Sequence, residues 1–171
     1  MKIEKTLLIL KPDTIARGIV GEVLSRFERA GLKLVGMKFL LPDKSRLENH
    51  YEGIGKLMSR KGKEIYDNTV DYMASGPVLA VVLEGVEAVE VVRKLTGSTE
   101  PKTALPGTIR SDYSHVSYEH ANESGAVRNI VHASATREEA DLEIAIWFDE
   151  DDILDYLNVH QAHTFLSLIH I

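Results

Sequence analysis

The order of elements in the sequence, β-α-β, then helices, then β-α-β, is compatible with an α+β domain in which one sheet is covered by helices. Short apolar runs of strand length alternate with segments whose apolar residues recur at helical spacing, and glycine or proline marks many of the junctions. At 171 residues with 44% hydrophobic content, the chain has material for one domain with a proper core.

Residues 6–11 form the first strand, a continuous apolar run ending in Lys11. A helix follows, with Ile19, Val20, Val23, Leu24 and Phe27 at helical spacing, and stops near Gly31. Residues 33–41 alternate loosely and read as the second strand, closed by Pro42. Residues 43–73 read as helical pieces broken at Gly53, Gly55 and Gly62. A third strand spans residues 77–83, and a helix spans 86–95. The stretch 97–126, with Pro101, Pro106, Gly107 and Gly125, reads as a long irregular loop, a type usually either functional or disordered. The fourth strand is 127–132. Thr136-Arg137-Glu138-Glu139 has the spelling of a capping box and opens a helix to Phe148. A last short helix is expected over 150–157.

Charge narrows the function. The formal net charge is −6 and the pI about 5.6, which disfavours a general binder of nucleic acid or anionic membrane, since those present basic surfaces. An anionic substrate must therefore be met by a local cluster of cations. Without cysteine the chain has no disulfide framework, thiol nucleophile or thiolate metal site. The first apolar run is too short for a signal segment or a membrane span, so a cytoplasmic protein is expected.

The sharpest chemical signal is Asn129-Ile130-Val131-His132-Ala133-Ser134, which delivers a histidine at the end of a strand, just before a helix. That helix has Ala140, Glu143, Ile144 and Trp147 on one face. Glu143 interrupts an otherwise apolar stripe, and a buried carboxylate is costly without a partner. If it holds one nitrogen of His132, the other keeps its lone pair for an electrophile. Ser134 has a plainer reading as a helix cap, and the two roles are compatible. Neither a P-loop nor a Gly-x-Gly-x-x-Gly turn is present. His160 and His163 have no zinc-site context.

With Lys11-Pro12-Asp13 after the first strand, Arg93 with the run 97–101, and Pro106-Gly107-Thr108-Ile109-Arg110, the chain resembles the nucleoside diphosphate kinase family over roughly residues 4 to 157. The resemblance implies a ferredoxin-like sandwich, a four-stranded antiparallel sheet covered by helices. It makes residues 1–160 the kinase domain and 161–171 a non-family tail. It also implies a ping-pong reaction in which His132 takes the γ-phosphoryl group of a nucleoside triphosphate through Nδ1 and passes it to a nucleoside diphosphate. In that pattern Glu143 orients His132, and Ser134 matches the serine beyond it. Lys11 reaches the phosphates, Arg93 and Thr99 grip the β-phosphate, Arg110 the γ-phosphate, Asn129 a sugar hydroxyl, and Tyr51 lies near the nucleophile. Magnesium enters on the nucleotide phosphates, with few or no protein ligands, and the family usually assembles into homo-oligomers.

The sequence departs from the family in several places. The aromatic segment that packs on the base is replaced by a longer run, 53–62, with Ile65 and Tyr66 as the nearest equivalents. The segment 113–128 is also longer than usual. Ser111 stands where many members have glycine, and Ala135 where aspartate is common. A catalytically silent nucleotide-binding or scaffold homologue is the leading alternative reading.

Overall fold

The computed structural model describes residues 3–164. Strand β1, Ile3–Leu10, is buried from Thr6 onward. Its apolar run is continuous because both faces are covered. Leu7 and Ile9 enter one core with Val70, Met73 and Trp147. Leu8 and Leu10 enter the other with Val23, Phe27, Val92 and Ile109. Each fully buried leucine or isoleucine contributes about 1.5–3 kcal/mol before entropy is counted.

β1 lies inside a four-stranded sheet of order β2-β3-β1-β4, with β2 at Lys33–Leu40, β3 at Val78–Val86 and β4 at Val131–Ala133. Every pairing is antiparallel, with Leu7 opposite Val82 and Ile9 opposite His132. This is the expected ferredoxin-like α+β sandwich.

Helices α1 (Pro12–Ala16) and α2 (Val20–Arg29) follow β1. Between β2 and β3 come α3 (Lys44–Glu48), a π-helical turn (Asn49–Ile54), α4 (Leu57–Lys61) and α5 (Lys63–Ala74). Helix α6 is Ala88–Thr96 and leads to the long connection before β4. That connection is more ordered than expected: it holds a 3-10 turn at Pro101–Thr103, α7 (Ile109–Tyr113) and α8 (Tyr118–Ser124). Thr108 and Ser117 cap the two helices by accepting from Ser111 N and His120 N. Caps stabilise such short pieces without the repeated apolar stripe that makes a helix legible in sequence.

Two strand and helix boundaries differ from expectation for identifiable reasons. β4 begins at Val131 rather than 127 because Ile130 takes φ +72°. Its N–H is diverted to Asp13 Oδ2 and so leaves the ladder, while its carbonyl accepts from Lys11 N, in register with the end of β1, and from Thr14 Oγ1. The expected helix 150–157 is a single 3-10 turn, Glu150–Asp152. Beyond it the chain lies along the open edge of β2: Leu154 N donates to Val35 O at 2.8 Å and the Tyr156 hydroxyl to Leu34 O at 2.7 Å. Gly36 makes room for this strap, since a Cβ there would meet Ile153 Cδ1 at 2.9 Å and Phe148 Cε1 at 3.2 Å. Buried Lys33 fastens it through Asp155 at 3.0 Å.

After the strap, α9 (Arg137–Trp147) having already closed the main core, the described residues end with α10 (Gln161–Thr164). Residues 165–171 of the expected tail lie outside the described residues.

Candidate active site

The pairing of β4 with the end of β1 brings both ends of the domain into one cavity of about 740 Å³. β4 contributes His132, half-exposed to it, and α9 sends Glu143 up from below. Glu143 Oε1 lies 2.9 Å from His132 Nε2, and Oε2 accepts the Ser134 hydroxyl at 2.6 Å. Ser134 is wholly buried; Leu7 N donates to its Oγ at 3.2 Å. Its capping role belongs instead to Thr136, which accepts from Glu139 N at 3.1 Å. The reciprocal half of the capping box is displaced by one residue, with Glu139 Oε2 accepting from Ala135 N.

Burial would raise the Glu143 carboxyl, but the charge and hydrogen bond of His132, with His50 and Ser134, outweigh it and hold the group at about 2. An ionised carboxylate only accepts, so the proton of His132 sits on Nε2 and Nδ1 keeps its lone pair.

The cations form the opposite wall. Lys11 Nζ donates to Asn129 Oδ1 at 2.7 Å, and Asn129 Nδ2 to Thr99 O at 2.8 Å, so one amide ties the β1 terminus to the loop after α6. Arg110 is nearly buried and donates to three carbonyls: Asn129 at 3.2 Å, Gly97 at 3.0 Å and Val131 at 2.7 Å. Of its five N–H groups, two remain for a ligand. Burial, then Arg110, lowers Lys11 to about 8 against the pull of Asp13. Burial, with Arg93, lowers Arg110 to about 10. Desolvated like charges held this close are relieved by an anion. Arg93 and Thr99 line the same cavity.

Tyr51 is buried, its ring centroid 6.5 Å from that of His132, and its hydroxyl has no hydrogen-bond partner among the described residues. The structure therefore gathers Lys11, Tyr51, Arg93, Thr99, Arg110, Asn129, His132 and Glu143 around one cavity, with Ser134 behind Glu143.

The model of the nucleoside diphosphate kinase family matches residues 4–153. The chain belongs to that family. It is 46% identical to the nucleoside diphosphate kinase of Borreliella burgdorferi over 157 residues, 91% of this chain and 93% of that one. To the Pyrococcus furiosus nucleoside diphosphate kinase it is 44% identical, covering 91% and 89% of the two chains. Among solved structures, a transition-state mimic of the Borrelia burgdorferi nucleoside-diphosphate kinase with bound vanadate and ADP superposes with a TM-score of 0.92 at 43% identity. That match covers 95% of this chain and 97% of the other. As a nucleoside diphosphate kinase, this chain is a phosphotransferase.

Parts of the segments 53–62 and 113–128, with Ala135, line the cavity, whereas Ser111 does not. Ile65 lines the cavity, whereas Tyr66 is turned into the core. Tyr118 and Ala121 of the longer 113–128 segment line it from the other side. Sequence reasoning missed His50, a buried residue whose ring stands edge-on to His132 at 4.5 Å between centroids. Its signal was adjacency to Tyr51, but seven histidines in the chain gave that position no distinction.

Proposed function

We propose that this nucleoside diphosphate kinase works through a phosphohistidine on His132, and the observation carrying the reading is the His132–Glu143 pair facing a desolvated cluster of cations. The Nδ1 lone pair attacks the γ-phosphorus of a nucleoside triphosphate. The phosphorus–nitrogen bond forms as the bond to the β-phosphate bridging oxygen breaks, and the diphosphate leaves with that electron pair. A second diphosphate then reverses the step with its terminal oxygen. Glu143 stabilises the positive ring, and Ser134 fixes Glu143. Lys11, Arg93, Thr99 and Arg110 take the phosphates, Asn129 takes a sugar hydroxyl, and Tyr51 packs beside the nucleophile. Positioning and charge neutralisation supply most of the acceleration in such transfers.

Magnesium arrives on the nucleotide. The donors at the site are lysine, arginine and histidine nitrogens with a carboxylate already engaged by His132 and Ser134, and magnesium prefers a shell of oxygens. The phosphates provide that shell, and the metal offsets their charge.

The working unit is residues 1–160, acting in the cytoplasm as a homo-oligomer. Supporting assembly, edge strand β2 leaves Met37 and Phe39 exposed, Phe39 at 64%, a size and chemistry suited to a second copy. No described helix is long and apolar enough to cross a membrane.

The test is incubation with γ-labelled ATP and magnesium, peptide mapping, and a chase with GDP. Acid-labile label on His132 that moves to GTP is expected. His132→Ala should lose about 10⁴-fold or more in transfer while still binding nucleotide. Label that persists in this variant overturns the assignment, and absence of label in the intact protein favours the silent homologue.

A further inference from the structure

Beside the reacting pair is a third titratable group to which the transfer step gives no task. His50, in the π-helical turn, is 1% exposed. Its Nδ1 is 3.3 Å from Trp147 Nε1 and 3.8 Å from Glu143 Oε1, the oxygen that holds His132. An indole N–H only donates, so Nδ1 of His50 must accept and its proton sits on Nε2. In that tautomer Nδ1 has nothing to offer Glu143, and the 3.8 Å approach brings two acceptors together rather than an ion pair. Burial, then His132 and Lys11, against the pull of Glu143, pushes His50 down to about 3, which keeps it neutral. The groups facing it are His132 from β4, Glu143 and Trp147 from α9, Lys11 from the end of β1 and its neighbour Tyr51.

We propose that Trp147 and His50 are a positioning pair: the indole locks His50 in the tautomer that cannot compete for Glu143, which reserves that carboxylate for His132, while the His50 ring edge holds His132 with Nδ1 toward the cavity. Without the indole donor, His50 is free to carry its proton on Nδ1 and donate to Glu143 Oε1. His132 then loses its fixed tautomer and orientation. The inference rests on the proposed phosphohistidine chemistry.

Single-turnover phosphorylation by labelled ATP tests it, with nucleotide affinity measured separately and the phosphohistidine isomer identified by ³¹P NMR. Trp147→Phe should slow phosphorylation about tenfold or more without changing nucleotide affinity, as expected for loss of orientation rather than binding, and should place part of the phosphate on Nε2. Trp147→Phe combined with His50→Phe should recover most of the rate, because the competitor is gone and an aromatic edge still packs on His132. A native rate in the single variant, or a double variant as slow as the single, overturns the pair, since a purely structural tryptophan would not be rescued at position 50. Should either variant fail to fold, ¹⁵N-histidine NMR of the native protein decides: the inference requires His50 to be protonated on Nε2 and bare on Nδ1, and the opposite tautomer overturns it. An unlabelled native protein would instead refute the proposed function, so the two failures are distinguishable.

Discussion

Glu143 and His132 are joined through Oε1 and Nε2 at 2.9 Å, while the other oxygen of Glu143 is occupied by Ser134 at 2.6 Å. The Ser134 bond leaves the carboxylate one direction in which to point. Glu143→Gln keeps the shape but brings an N–H. If that amide donates to Nε2, the imidazole proton moves to Nδ1 and the nucleophile is masked. Transfer should fall by about 10⁴-fold, by analogy with the wrong-tautomer penalty of a histidine that loses its orienting carboxylate. Nucleotide affinity should change little. Stopped-flow phosphorylation with a parallel binding titration checks both; unchanged transfer would remove Glu143 from the mechanism.

Lys11 makes binding pH-dependent. In the free protein its pKa is lowered to about 8 from an ordinary 10.5. Between those values the unfolded chain holds a proton that the folded chain has released, so this group makes stability rise with pH across that window. A bound phosphate acts in the opposite direction, favouring the charged amine. Nucleotide binding near pH 8 to 9 should therefore take up protons, and affinity should weaken as pH rises through this range. Calorimetry in two buffers of different ionisation heat measures the uptake, and Lys11→Gln should abolish it.

Gly97 joins α6 to the phosphate-facing loop at φ +86°. A Cβ there would meet Thr108 Oγ1 at 2.5 Å, and Thr108 caps the helix carrying Arg110. Because the Gly97 carbonyl also accepts from Arg110, the damage should reach the cation. Gly97→Ala should cost about 1–3 kcal/mol of stability and raise the nucleotide KM more than it lowers kcat. Chemical denaturation and steady-state kinetics test this together.

Tyr72 donates its phenol proton to Asp13 Oδ1 at 2.5 Å, and Asp13 Oδ2 receives the N–H of Ile130 at 3.2 Å. This brace reaches a β-branched residue in left-handed backbone, two positions before the nucleophile, a conformation that persists only when its surroundings impose it. Tyr72→Phe should lose about 1 kcal/mol and slow transfer by loosening His132. Asp13→Ala should cost more, because it strands the Ile130 N–H. Amide hydrogen exchange at Ile130 should rise in both variants; unaltered protection would show that the brace does not hold the turn.

The chain by itself determined the alternation of elements, the doubly buried first strand and the pairing of a histidine with a carboxylate one helix away. Each is a local pattern: an unbroken apolar run, a period of 3.6, a charged residue out of place in an apolar stripe. The specific spelling around Lys11, Arg110 and His132 also made the family legible. What sequence could not supply came from contacts between distant segments. β4 shortened because Ile130 takes a left-handed backbone and gives its N–H to Asp13, and the expected terminal helix gave way because Leu154 and Tyr156 satisfy the open edge of β2. His50 became visible only when the π-helical turn brought it between Trp147 and Glu143. Periodicity reports which face of an element is buried, whereas the partner of a buried polar group is decided by packing across more than 90 residues of intervening chain, as with His50 and Trp147 at a separation of 97.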